Sequence, residues 1–169
     1  MECKKIRLSA PLTIDSIVDG AGLRCVIWTQ GCFHNCKGCH NPQTHDISKG
    51  TLYDIEDIIK EILQTQLQNG ITLSGGEPFL QCNALVKILD GIKEKEFNVW
   101  AYTGFLYEEL IKDQEKKNLL EKIDVLVDGK FIEEEKDIYL RFKGSRNQRI
   151  IDVQKSLHEN RICLSTYDN

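Results

Sequence analysis

The sequence predicts an α/β fold built on a mainly parallel sheet. Three observations carry that reading: four apolar stretches of strand length, helix-patterned segments between them, and a chain of 169 residues. Strands that alternate with helices imply right-handed βαβ crossovers, and at roughly 30 residues per unit the chain has room for about four to six of them. A closed eight-unit barrel takes about 250 residues, so a partial, open barrel or a short open sheet is expected instead. One domain should span residues 1–169.

Leu23 to Thr29, Ile71 to Ser74, Phe97 to Tyr102 and Ile123 to Val127 are short, apolar and rich in β-formers, and each predicts a strand. After the first of them, Ile55, Ile58, Ile59, Ile62, Leu63 and Leu67 recur on one helical face opposite Glu56, Asp57, Lys60 and Glu61. That spacing predicts a helix from Asp54 to Leu67. A second helix carries Leu85, Ile88, Leu89 and Ile92, with Asn83 as its expected N-cap and Gly91 as a weak point. A third runs from Glu108 to Glu121 and should break near Asp113. Beyond Val127 come an acidic loop at Glu133, Glu134 and Glu135, a basic segment with Arg141, Lys143, Arg146 and Arg149, and two short strands near Ile150 and Ile162.

Composition narrows the function. Asp and Glu outnumber Lys and Arg by 26 to 22, a formal charge of −4, which is the wrong sign for a protein living on phosphate backbones. Nucleic acid is not an expected partner. The start Met1 to Arg7 leads into no signal-peptide core, and no apolar run approaches the roughly 20 residues of a membrane span, so a soluble, cytoplasmic protein without membrane contact is expected. Seven cysteines in a reducing compartment then point to metal or redox chemistry rather than to disulfides.

Three of those cysteines stand together. Cys32, Cys36 and Cys39 read C-x3-C-x2-C directly after the first predicted strand, at the strand end where α/β folds place their sites, and Gly31 and Gly38 let the chain wrap one centre. Iron and zinc are the soft-ligand candidates. A structural zinc ion would take His34, His40 or His45 as its fourth ligand. A 4Fe-4S cluster held by three thiolates would leave one iron open to another ligand. Cys3, Cys25, Cys82 and Cys163 have no local partner and read as small hydrophobes. A second spot is Ser74-Gly75-Gly76-Glu77-Pro78, where a strand runs into two glycines and an acid. Its backbone carbonyls and the Glu77 carboxylate are suited to accept from a cationic ligand.

The cysteine triplet followed by Gly75-Gly76-Glu77-Pro78 resembles the radical S-adenosylmethionine enzymes. Asp19-Gly20-Ala21-Gly22-Leu23-Arg24 and the stretch from Gln30 to Pro42 are similar to the glycyl-radical activating enzymes within them. Tyr102-Thr103-Gly104-Phe105, Asp124 to Phe131 and Gly144 to Asp152 resemble the short branch that activates anaerobic ribonucleotide reductase. The resemblance implies a partial, open (β/α) barrel of the radical S-adenosylmethionine type. It implies a 4Fe-4S cluster on Cys32, Cys36 and Cys39, with S-adenosylmethionine chelating the fourth iron and contacted by Gly38, Cys39, His40, Gly75, Gly76 and Glu77. Asp128 and Lys130 would lie near the cofactor or at an ion site, and no protein acid or base is implied for the chemistry.

The partners implied are the large glycyl-radical subunit of the class III reductase and a one-electron donor such as flavodoxin or ferredoxin. In one respect the chain departs from the wider superfamily: the residue before the third cysteine is usually aromatic, and here it is Gly38, as in the short reductase activators. Three other readings stand beside this one: an activator of another glycyl-radical enzyme, a small-molecule radical enzyme, and a zinc-stabilised interaction module without catalysis.

Overall fold

The computed structural model describes residues 3–168; Met1 and Glu2, part of the start read above, and Asn169 lie outside the described residues. Its strands are β1 (Lys5–Leu8), β2 (Thr13–Ser16), β3 (Arg24–Thr29), β4 (Thr51–Asp54), β5 (Gly70–Gly75), β6 (Asn98–Tyr102), β7 (Val125–Asp128) and β8 (Arg149–Asp152). Its helices are α1 (Ile55–Gln64), α2 (Cys82–Gly91), α3 (Tyr107–Leu110), α4 (Gln114–Leu120) and α5 (Val153–Glu159). The strands form one open sheet in the order β4-β1-β3-β5-β6-β7-β8, with β2 also paired to β3. Only the centre is parallel: β3, β5, β6 and β7 run the same way, while β1, β2, β4 and β8 pair antiparallel. The fold is therefore a mixed α/β sheet with a parallel core, and the sheet does not close.

Side chains alternate across a strand, and the two faces of this sheet bury different things. One face presents Cys25, Ile27, Ile71, Leu73, Ala101, Leu126 and Ile151 to α1, α2 and α4, whose Ile58, Ile62, Leu85, Ile88, Leu119 and Leu120 complete the main core. The other face carries Trp100, Val125, Val127 and Ile150, packed with Ala21, Tyr102 and Phe142. Arg24 belongs to that second face and is wholly buried. Its guanidinium lies 5.5 Å from the Trp100 ring centre and donates to Thr72 Oγ1 at 2.7 Å, Ile71 O at 2.8 Å and Asn98 O at 2.6 Å. Burial lowers its pKa to about 10, which still leaves it charged at neutral pH.

Several predicted elements move. Helix α1 stops at Gln64, short of Leu67, because the chain turns extended at Thr65 and Leu67 sits exposed with φ of 62°. Asn83 is not the cap of α2: the helix begins at Cys82, and the Asn83 amide reaches across to Glu115 at 3.0 Å. The N-cap is Gln81, whose side chain instead exchanges two 2.8 Å bonds with the Arg7 backbone and ties the helix to β1. The break at Asp113 occurs as expected, with its carboxylate accepting from Glu115 N and Lys116 N at the start of α4. Near Ile162 there is only an isolated bridge between Leu164 and Ile151.

Candidate functional site

A cavity of about 500 Å³ opens at the carboxyl ends of β3, β5 and β6. Cys32, Cys36 and Cys39 line it together with Glu77, Tyr102 and Lys143. The cysteine segment has no regular structure because it turns repeatedly, with positive φ at Gly31, Asn35 and Gly38. It is held at both ends. Gly31 N donates to Thr44 O at 2.8 Å and Cys32 N to His45 O at 3.3 Å, while Cys39 N closes a turn on Cys36 O at 3.2 Å. All three thiols are free. The Asn41 N–H points to Cys39 Sγ at 3.4 Å. Burial pushes the Cys32 thiol pKa up, opposed by the backbone N–H of His34 directed at the sulfur.

The turn after β5 packs flat against this loop. Gly76 N donates to Thr29 O and Glu77 N to Gly31 O, both at 2.8 Å. A β-carbon on Gly76 would collide with the Gly31 carbonyl oxygen, so glycine is required there for close approach. Glu77 is buried at the cavity wall and its carboxylate is already engaged. Oε1 accepts from Phe79 N at 3.0 Å and Thr103 Oγ1 at 2.9 Å; Oε2 accepts from Gly104 N at 2.9 Å and is 2.7 Å from His34 Nε2. The two glycines and the acid thus knit the cysteine loop, the β5 turn and the β6 turn into one unit.

Not every expected site residue reaches the cavity. Gly75, Gly76, Cys39 and His40 line it, with His40 tilted against Phe131 at 5.1 Å. Gly38 does not: with φ of 71°, a β-carbon there would lie 2.8 Å from Glu133 Oε1, on the side where Lys37 and Glu133 pair at 3.0 Å. The left-handed backbone at Gly38, which L side chains rarely adopt, disfavours an aromatic residue before Cys39. Asp128 and Lys130 are also absent from the lining. Asp128 shares the helix face with Leu126, where its carboxylate binds both Arg149 Nε at 2.9 Å and Tyr107 N at 2.8 Å. Lys130 is exposed, its carbonyl accepting from Asn147 at 2.8 Å.

The basic segment disperses. Arg149 joins Asp128 and Glu108, Arg146 pairs with Asp137 at 2.9 Å, and Lys143 pairs with Asp168 at 2.7 Å. The order of residues 144–149 acquires a physical reason. Gln148 Oε1 accepts from Gly144 N and Ser145 N while its amide donates to Gly129 O, so the segment clamps the loop after β7. Sequence reasoning missed His34 as a carboxylate partner and Thr103 and Gly104 as donors. The only available signal was that all three sit in the stretches quoted for the family resemblance.

The donor set fits an iron–sulfur cluster. Three unpaired thiols on a glycine-hinged loop, with backbone N–H groups directed at two of the sulfurs, are what thiolate ligands require. Among the described residues, no group of three or more His, Cys, Asp or Glu side chains is set to hold a single metal ion. His34, one of the three fourth ligands considered for zinc, is bonded to Glu77.

The family described as a 4Fe-4S single cluster domain matches residues 18–151. The chain is similar to proteins named anaerobic ribonucleoside-triphosphate reductase-activating protein. It is 37% identical to that of Haemophilus influenzae and 40% identical to that of Vibrio cholerae, each over 142 residues, 79% of this chain and 90% of the relative. The protein of the same name from Escherichia coli K12 is 36% identical over 140 residues, 78% of this chain and 90% of the relative. Among solved structures, QueE from Escherichia coli superposes with a TM-score of 0.50 at 17% identity, covering 59% of this chain and 52% of that one. That likeness concerns the fold alone.

Proposed function

The chain belongs to the 4Fe-4S single cluster domain family and, within it, to the anaerobic ribonucleoside-triphosphate reductase-activating proteins, and from that premise we propose that it installs a glycyl radical on the class III reductase. The cofactors are a 4Fe-4S cluster and S-adenosylmethionine. When bound, they supply a one-electron cleavage of the sulfonium that releases methionine and a 5′-deoxyadenosyl radical, which takes hydrogen from a glycine α-carbon. The chain's own residues hold and enclose. Cys32, Cys36 and Cys39 would hold the iron, and His40, Gly75, Gly76 and Glu77, which line the same cavity, would receive S-adenosylmethionine. Asp128 and Lys130 are left outside this reading, and Gly38 serves the turn rather than the ligand.

The observation that carries the proposal is that the three cysteines and the Gly75–Glu77 turn converge on one cavity at the carboxyl ends of parallel strands. The open parallel core is read as the partial barrel of the radical S-adenosylmethionine type, in one domain. The cavity opens at the strand ends, and in this reading the substrate is a flexible protein segment that completes the enclosure, glycine admitting the closest backbone approach. The donor is a small electron carrier such as flavodoxin or ferredoxin, and the setting is the cytoplasm; among the described residues no helix is long and apolar enough to cross a membrane. Nucleic acid and membrane are not partners in this reading.

The test is anaerobic mixing with a class III reductase large subunit, S-adenosylmethionine and reductant, followed by electron paramagnetic resonance. A glycyl-radical doublet with one cofactor cleaved per radical is expected. Deuterium moving into 5′-deoxyadenosine from a small metabolite, with no protein radical, would replace the activase reading by a small-molecule one.

A further inference from the structure

His34 lies between two of the cysteines, and its ring reaches Glu77 in the turn after β5. We propose that His34 is a positioning residue of the cofactor site: through one hydrogen bond from Nε2 to Glu77 Oε2 it locks the loop carrying Cys32 and Cys36 to the turn carrying Glu77. The proposal deepens the function proposed above and rests on its assignment of the cysteines to the cluster and of the Gly75–Glu77 turn to S-adenosylmethionine.

With the carboxylate also accepting from Phe79 N and Gly104 N, the 2.7 Å contact is assigned with Nε2 as the donor, the tautomer that carries its hydrogen there. The bond is shielded: the His34 and Glu77 side chains are 11% and 1% exposed. A charge-assisted bond in such a setting is stronger than one in water. The imidazole is also oriented from outside the loop, with Phe105 edge-on at 4.7 Å and 77°. The other side-chain contacts to the Glu77 carboxylate come from its own turn, Phe79 N, or from the β6 turn, Thr103 and Gly104. Only His34 brings in the cysteine loop, and its own backbone N–H is directed at Cys32. One residue therefore faces an iron ligand with its main chain and the cofactor wall with its ring. Its neighbour Phe33, 66% exposed, has no comparable anchor. Without the bond the loop would still carry its cysteines, but their position relative to the β5 turn would rest on contacts that end at Gly31, before the first cysteine: Gly76 N to Thr29 O, Glu77 N to Gly31 O and the Gln81 amide to Gln30 O.

The experiment compares His34→Ala and His34→Gln with the parent in the reconstituted full chain, since the glutamine amide can donate from nearly the same place as Nε2. Iron content, affinity for S-adenosylmethionine read from its perturbation of the reduced-cluster resonance, and amide hydrogen exchange in the apo-chain are measured together. His34→Ala should hold at least half of the parent's iron yet bind S-adenosylmethionine about tenfold more weakly, and His34→Gln should return to within about threefold of the parent. In the apo-chain, exchange should quicken at Gly104, Phe79 and residues 32–36 in the alanine variant only. Parent-like affinity in His34→Ala, or loss of iron in both variants, would overturn the proposal. If the parent itself showed no cluster or no cofactor-dependent resonance, the functional reading would fail, and the apo-chain exchange would still decide whether His34 locks the two segments.

Discussion

Strands β5 and β7 flank β6, and each leads into a buried carboxylate, Glu77 after one and Asp128 at the end of the other. The two are used differently. Glu77 stands at the cavity wall and is held by a hydroxyl, two backbone N–H groups and a histidine, so it binds loops together around an opening. Asp128 points to the opposite face and is held by Arg149 and the first N–H of α3, so it binds a strand pair to a helix. The difference comes from where each acid leaves its strand: Glu77 lies two residues past the end of β5, after the backbone turns at Gly75 with φ of 101°, whereas Asp128 is still in the pleat of β7. In β7 the cavity-side residues are Val125 and Val127, and Asp128 falls on the other side with Leu126. Here the acid carried past the strand end by a glycine turn reaches the cavity, and the one held in the pleat does not.

The sharpest way to break this comparison is at the opening itself. Cys36→Ala should abolish cofactor cleavage and most bound iron, measured by product chromatography and iron assay, while Cys82→Ala and Cys163→Ala, both buried away from the mouth, keep both. On the opposite face, Asp128→Asn should cost stability rather than chemistry. We expect about 2 to 3 kcal/mol in urea denaturation of the apo-chain, somewhat less than for a wholly buried pair because Arg149 is partly exposed and keeps Glu108. Cofactor affinity of the folded variant should stay within about twofold. Glu77→Gln inverts that pattern: it should keep its iron and lose about tenfold in affinity for S-adenosylmethionine, because a donor replaces an acceptor among groups that already donate.

The smallest effect belongs to Glu108. Its hydrogen bond with Arg149 holds its carboxyl pKa below the ordinary 4.5, so the stability it contributes is present above that pH and lost as pH falls through the lowered folded-state value. Glu108→Gln should cost under about 1 kcal/mol at pH 7, and the gap from the parent should narrow in denaturation curves as the pH is taken below the ordinary carboxyl value of 4.5.

The parallel core was legible in the sequence because its strands are buried on both faces and read as continuous apolar runs. Helix α1 and the break at Asp113 were legible from helical spacing and a capping acid. The antiparallel margin was not. Residues of β1, β2 and β4 such as Lys5, Arg7, Asp15 and Asp54 mix polar and apolar types over four positions, and what makes them strands is a partner elsewhere in the chain. The cysteines and the Gly-Gly-Glu turn could be picked out because their residue types are costly to keep without a ligand or a close approach. The roles of His34 and Asp128 depended on which way a side chain points, and no local pattern carries that information.

Trp100, wholly buried on the second face of the sheet, belongs to the cluster that packs behind Tyr102 and Phe142, two residues of the cavity lining. A cavity backed by packed side chains and open at the strand ends has its door where a partner would seat, and that imposes a sequence on its traffic. Whatever occupies the interior must enter before a protein partner seats on the rim and cannot leave until that partner departs. For a single-turnover activation this is an advantage, since a reactive fragment is released only toward the segment that closes the door. It also ties the refilling of the cavity to the partner's departure from the rim.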